Sequence, residues 1–157
     1  MDFRIVELAA CKIAGKSIVI DVTDDDKSKK ISMLWEECLA DGGFMGTAKL
    51  GTIAVSLMGV VIGGDQDSFT YMIAVEDNGT VPPTYERAEI PAATYAVFES
   101  VGPIPAALVE TFNKAHSEWL PSSDYVATTG PRLERYSEGD VSKVNYQSEA
   151  WIPVKKK

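Results

Sequence analysis

The 157-residue chain is poor in basic residues, cysteine and histidine. Its 15 Lys and Arg residues against 23 Asp and Glu residues give a formal net charge of −8. We therefore expect no direct nucleic-acid binding, because nucleic-acid binders usually carry a basic patch. The closing Lys155-Lys156-Lys157 is too short to reverse this balance. The two cysteines, Cys11 and Cys38, stand in no ligand-like spacing, which excludes a disulfide framework and a zinc site.

Long hydrophobic runs and a targeting segment are also missing. The apolar stretch from Ile53 to Ile62 is too short to span a bilayer, and Ser56 and Gly59 interrupt it. The start of the chain lacks the charged-then-apolar pattern of a signal peptide. We expect a cytoplasmic protein with reduced thiols and no membrane association.

Residue patterns typical of catalysis or metal binding are equally scarce. The single histidine, His116, has no Ser, Cys or second His in a pattern that supports a catalytic dyad. The run Asp24-Asp25-Asp26 is not followed by the spacing or the closing glutamate of a calcium loop. We therefore predict no catalytic residue, no metal and no cofactor.

The first half of the chain, about residues 1–78, is predicted to have the order β-α-β-β. Five apolar residues on one helical face predict a helix at 28–40, which Gly42-Gly43 would end. They are Ile31, Leu34, Trp35, Cys38 and Leu39. The expected strands of this half cover residues 3–20, with Gly15 as a candidate break, 49–62 and 69–76.

The second half, about residues 85–157, repeats this order after a turn-rich linker at 79–84. An apolar stripe predicts its helix: Ile104, Leu108, Phe112, Ala115 and Trp119. Its strands are expected at 86–98, 132–136 and 146–154. Weak sequence similarities between the two halves, such as Glu7-Leu8-Ala9-Ala10 with Glu89-Ile90-Pro91-Ala92, support a duplication.

These patterns predict one α+β domain over residues 1–157. Two β-α-β-β repeats would join into an antiparallel sheet assembly with both helices on one face. We expect a ligand cleft on the other face, because crevices between subdomains are common ligand sites.

Two acidic residues stand in strand-like segments beside aromatic residues. By alternation, Glu134 shares a strand face with Tyr136, and Glu149 shares one with Trp151. A half-buried carboxylate is costly unless it is compensated, and ring faces beside it suit a cation. Plainer interpretations stay open: a salt bridge from Glu134 to a neighbouring arginine, Arg132 or Arg135, and core packing of the aromatic residues.

Five segments in the right order resemble the GyrI-like family, which includes effector-binding domains of AraC-type and MerR-type transcription regulators. They are Tyr95-Ala96-Val97-Phe98, Gly102-Pro103, Glu118-Trp119-Leu120-Pro121, Leu133-Glu134-Arg135-Tyr136 and Glu149-Ala150-Trp151-Ile152-Pro153-Val154. The resemblance covers residues 85–157 and is mostly topological over 1–78. With no helix-turn-helix expected before Phe3, the chain resembles stand-alone members, including drug-binding domains of integron cassettes.

The resemblance implies a cleft that binds small lipophilic cations. A glutamate at the position of Glu134 would meet the cation, while Glu149 and Trp151 match an acidic and an aromatic position on the closing strand. Tyr71 lies on a strand that forms a cleft wall in the family, although its alternation favours the core. Trp119 lies on a helix stripe that favours packing. The predicted ligand-binding residues are Glu134, Glu149, Trp151, Tyr136, Tyr71 and Trp119.

Relatives in the family leave two alternative functions open. One is hydrolysis of reactive small molecules, with the cleft glutamate as a general base. The other is an interaction protein that inhibits a partner such as DNA gyrase. A protein partner or a homodimer therefore stays among the expectations beside the small hydrophobic cationic ligand.

Overall fold

The structure is a computed structural model that describes residues 1–40, 57–64, 67–77, 79, 83–137 and 142–157. Nine strands lie within these residues: β1 Arg4–Leu8, β2 Cys11–Asp21, β3 Met58–Gly64, β4 Ser68–Glu76, β5 Glu86–Ile90, β6 Ala93–Val101, β7 Tyr125–Ala127, β8 Arg132–Tyr136 and β9 Gln147–Lys156. Two main helices accompany them, α1 Lys27–Ala40 and α2 Ala106–Lys114. A π-helical turn, Ala115–Trp119, continues α2 into the short α3, Leu120–Ser122. None of the helices in these ranges is long and apolar enough to cross a membrane.

The strands form an antiparallel sheet in the order β1-β6-β9-β8-β3-β4-β2-β5, and β7 pairs with β9. The order is pseudo-symmetric about the central β3–β8 pair. Replacing each strand by its counterpart in the other half of the chain gives the same order read backwards. The α+β fold is confirmed. The repeat boundaries at residues 78 and 85 stay a prediction. Strand β7 has no counterpart in the sequence-based expectation.

Two short connections each join a strand at one end of this sheet to a strand near the other end. Ala9-Ala10 joins β1 to β2, and Pro91-Ala92 joins β6 to β5. Because one residue spans at most about 3.6 Å, the sheet must curl until its two ends approach each other. The face inside the curl, here called the inner face, carries a buried apolar cluster. Its members are Ile13, Met58, Val60, Met72, Ala74, Ile90, Tyr95, Val97, Leu133 and Trp151.

Both helices cover the opposite, outer face. Helix α1 packs Leu34 and Cys38 against a cluster on β2 and β4 that includes Ile73. Helix α2 packs Leu108 and Phe112 against a cluster on β6 and β9. The two central strands, β3 and β8, therefore lie between the helices. This arrangement confirms the prediction that both helices share one face.

The strands are interrupted at different positions from those predicted. The N-terminal strand is interrupted at Ala9-Ala10, so the candidate break at Gly15 is wrong. Gly15 lies inside β2 opposite Ala74, and a Cβ there would collide with the carbonyl oxygen of Ile73. The strand expected at 86–98 divides at Pro91, which has no N–H to donate to a ladder. The helix end predicted at Gly42-Gly43 lies outside the described residues.

We predict that Gly15→Ala lowers the free energy of unfolding by about 1–3 kcal/mol, as overpacking typically does. The added Cβ would lie 2.8 Å from the Cα of Ala74, and neither backbone can rotate away. Urea denaturation measures the loss. Gly63→Ala is the matched control, because no atom lies within 4 Å of the Cβ it would add. Equal stability of the two variants would contradict this account of Gly15.

Candidate functional site

The carboxylate of Glu134 lies between the two helices on the outer face of the central strands. The Oε1 atom of Glu134, on β8, accepts a hydrogen bond of 2.6 Å from the hydroxyl of Tyr71 and one of 2.7 Å from the hydroxyl of Tyr136. The indole Nε1 of Trp35, on α1, donates to the Tyr71 hydroxyl at 3.1 Å. Trp35 also meets the Tyr136 ring edge-on, with centroids 5.0 Å apart. We call these four residues the carboxylate cluster.

Strand alternation and one glycine create the space for this cluster. On β8 the outward-facing Glu134 follows the inward-facing Leu133, and across the β3–β8 pair it stands opposite Gly59. A Cβ at Gly59 would collide with Glu134 Oε1 and lie 2.5 Å from the Tyr71 hydroxyl. The missing side chain at this position lets the carboxylate and the phenol meet over the sheet.

The electrostatics of the cluster leave its negative charge without a cation. Burial, reinforced by the charge of Glu134, raises the pKa of Tyr71 and of Tyr136 well above the ordinary value. Both phenols therefore stay protonated at physiological pH and act as donors. Within the described ranges, no Lys or Arg forms an ion pair with Glu134.

The salt bridge considered for Glu134 is not formed by either neighbouring arginine. The Arg132 guanidinium lies over the Phe112 ring, 4.6 Å from its centroid. The Arg135 guanidinium lies 5.1 Å from the Trp151 centroid. Because Arg135 follows Glu134 directly on the strand, it faces the inner side of the sheet.

The structure does not bring Glu149 and Trp151 to Glu134. In the β8–β9 pair, Trp151 stands opposite Leu133 on the inner face, whereas Glu134 stands opposite Ala150. Glu149 accepts a hydrogen bond of 2.6 Å from Arg4 and one of 3.1 Å from the Trp151 indole. These two predicted site residues border a pocket of about 310 Å³, whose wall also includes Tyr136 but not Glu134.

Trp119 belongs to the packing of α2 rather than to the carboxylate cluster. Its side chain is buried against the Phe98 ring at 5.1 Å and stacks on Tyr125 at 5.9 Å. The helix stripe predicted this packing. Tyr71 is also buried, as its alternation indicated, yet its hydroxyl reaches Glu134.

Two residues of the site, Trp35 and Gly59, were not predicted from the sequence. Trp35 lies on the apolar stripe of α1, which predicts only that it faces the sheet. Which strand residue it meets depends on where the helix crosses the sheet. Gly59 interrupts an apolar run, and a glycine inside a strand is a recognised sign of close approach by another group.

We predict that Tyr71→Phe lowers the free energy of unfolding by about 1–3 kcal/mol, because the half-buried carboxylate loses a donor and the Trp35 indole loses its acceptor. Thermal and urea unfolding measure the change. Tyr125→Phe is the matched control: it keeps a stacked ring, and its hydroxyl makes no hydrogen bond with the described residues. If both variants lose the same stability, the Tyr71 hydroxyl has no special role.

Solved structures similar to this chain share the whole fold. The structure of SAV2435 bound to tetraphenylphosphonium has a TM-score of 0.82 and 25% sequence identity, and the alignment covers 99% of this chain and 94% of that chain. The integron cassette protein VCH_CASS2 from the mobile metagenome of Vibrio cholerae has a TM-score of 0.71 at 16% identity, over 98% and 95% of the two chains. The EcmrR C-terminal domain has a TM-score of 0.58 at 18% identity, over 99% and 98%.

The curled sheet with two outer helices is thus the fold of effector-binding domains related to GyrI-like proteins. The chain belongs to the family of integron-associated effector binding proteins, whose model matches residues 4–154. This membership confirms the resemblance found in the sequence. No curated protein matches the chain.

Proposed function

We propose that the protein binds small lipophilic cations on the outer face, with Glu134 as the partner of the positive charge. This is the face that carries the helices, whereas the sequence predicted a cleft on the opposite face. One observation carries the proposal: the Glu134 carboxylate is held by two phenols beside an indole, and no cation within the described ranges neutralises it. A ligand that supplies a positive charge and an apolar body would complement such a site.

The geometry gives the carboxylate one occupied and one open oxygen. Both phenol hydroxyls donate to Oε1 of Glu134, and no hydrogen bond from the described residues reaches Oε2. The donors fix the carboxylate in place, so that Oε2 is the atom for the cation. Attraction between Oε2 and a cation is stronger in a partly buried site than in bulk water.

Apolar burial would supply the rest of the affinity. Removing ligand surface from water is worth about 25 cal/mol for each Å² of apolar area. Ring faces add about 0.5–2 kcal/mol when they contact a cation. The net charge of −8 also favours the approach of a cation over that of an anion.

The relative SAV2435 supports this ligand class, because its structure contains tetraphenylphosphonium and its chain aligns with nearly the whole of this one. We assign the charge role to Glu134 alone. Glu149 lies on the other face and already pairs with Arg4. Tyr71 and Tyr136 position the carboxylate, and Trp35 adds an aromatic wall.

We predict that the protein binds tetraphenylphosphonium and that Glu134→Gln weakens this binding about tenfold or more, the effect of losing a charged partner. Isothermal titration calorimetry measures both affinities. Triphenylphosphine oxide, a neutral molecule with similar rings, should bind the parent protein weakly and should not distinguish it from the variant.

The control is Glu149→Gln, which removes the same charge from the opposite face and should leave the affinity unchanged. Two results would refute the role of Glu134: equal weakening by the two substitutions, or full affinity in Glu134→Gln. Circular dichroism of each variant confirms that it is folded.

A further inference from the structure

A second pocket lies on the outer face, on the α2 side of the central strands. It has a volume of about 290 Å³. Its wall includes Val61, Phe69, His116, Thr128, Arg132 and Ile152. Arg132 precedes Glu134 by two residues, so both side chains leave the same face of β8. Glu134 itself does not line the pocket.

The arginine in this pocket has unused hydrogen-bonding capacity. Its guanidinium stacks on the Phe112 ring, while its Nε is buried and has no hydrogen-bond partner. Throughout the described part of the chain, no carboxylate forms an ion pair with Arg132. A guanidinium is permanently charged and presents its N–H donors in a fixed plane. The terminal nitrogens of Arg132 also make no hydrogen bond within the described residues and are not buried, so they are the donors that a ligand in the pocket could reach.

The rest of the pocket wall suits an anion. Thr128 and Thr129 add hydroxyl groups, and no Asp or Glu stands among the described residues that line it. Burial, together with the positive charge of Arg132, lowers the pKa of His116 below its ordinary value. His116 is therefore mostly neutral at pH 7, and Arg132 provides the positive charge of the pocket.

We propose that this pocket binds an oxyanionic group, a carboxylate or a phosphate, through hydrogen bonds from the Arg132 guanidinium. Two oxygens of a carboxylate or of a phosphate match the paired donors of arginine in a bidentate arrangement. The net charge of −8 repels anions at long range, so affinity must arise from contacts inside the pocket. Binding should for that reason depend steeply on this one side chain. The proposal stands independently of cation binding at Glu134.

The experiment titrates the whole protein with benzoate and, separately, with phenyl phosphate, with benzyl alcohol as the neutral control. The ¹⁵N–¹H resonance of the Arg132 side-chain Nε reports changes in the environment of the guanidinium group. We expect one or both anions to shift this resonance saturably, and benzyl alcohol not to shift it. The anion whose titration saturates at the lower concentration shows whether the pocket prefers a carboxylate or a phosphate.

Substitutions test whether Arg132 is the binding group. Arg132→Gln should weaken binding of the preferred anion at least about tenfold. Arg135→Gln removes the same charge three positions away on the inner face and should leave it unchanged. Glu134→Gln should preserve or slightly strengthen anion binding, which separates this site from the proposed cation site.

Two results would overturn the proposal of anion binding. If neither anion shifts the Arg132 resonance in the parent protein more than benzyl alcohol does, the proposal is wrong, and this holds even if Arg132→Gln does not fold. Equal loss of binding in Arg132→Gln and Arg135→Gln would also refute it, because binding would then follow overall charge.

Discussion

The two-residue connections at Ala9-Ala10 and Pro91-Ala92 constrain the whole architecture. Each joins strands that stand near opposite ends of the sheet, so the sheet has to curl and one of its faces becomes an interior. That interior is filled with apolar side chains, among them Tyr95 and Trp151. The helices are left with the outer face, where they flank the central pair β3–β8. Between the helices, the outer face of β8 carries the charged side chains of Arg132 and Glu134.

Glu134 shows how the outer face of the sheet accommodates a charged group. A carboxylate among aromatic rings would ordinarily be unfavourable, because it has left bulk water. Two phenol donors from different strands compensate it, and Gly59 provides the room for one of them to approach. The compensation is by hydrogen bonds rather than by an ion pair. No Lys or Arg within the described ranges forms an ion pair with this carboxylate.

The same strand carries charges of opposite sign along the outer face. Arg132 and Glu134 are separated by one inward-facing residue, Leu133, yet they do not pair with each other. Arg132 lies over the Phe112 ring of α2. Glu134 accepts hydrogen bonds from Tyr71 and Tyr136, both of which contact Trp35 of α1. The helices thus divide one strand face into two electrostatically different environments.

The sequence by itself determined the local features. Periodicity placed α1 and α2 and the packing of Trp119, and alternation separated Glu134 and Tyr136 from Leu133. Only the tertiary structure decided which faces meet, because strand register and helix position arise from contacts between distant residues. Register placed Glu149 and Trp151 on the face opposite Glu134, although all were predicted to share one cleft. The crossing of α1 over the sheet brought Trp35 to Tyr71, a contact that no pattern within either segment encodes.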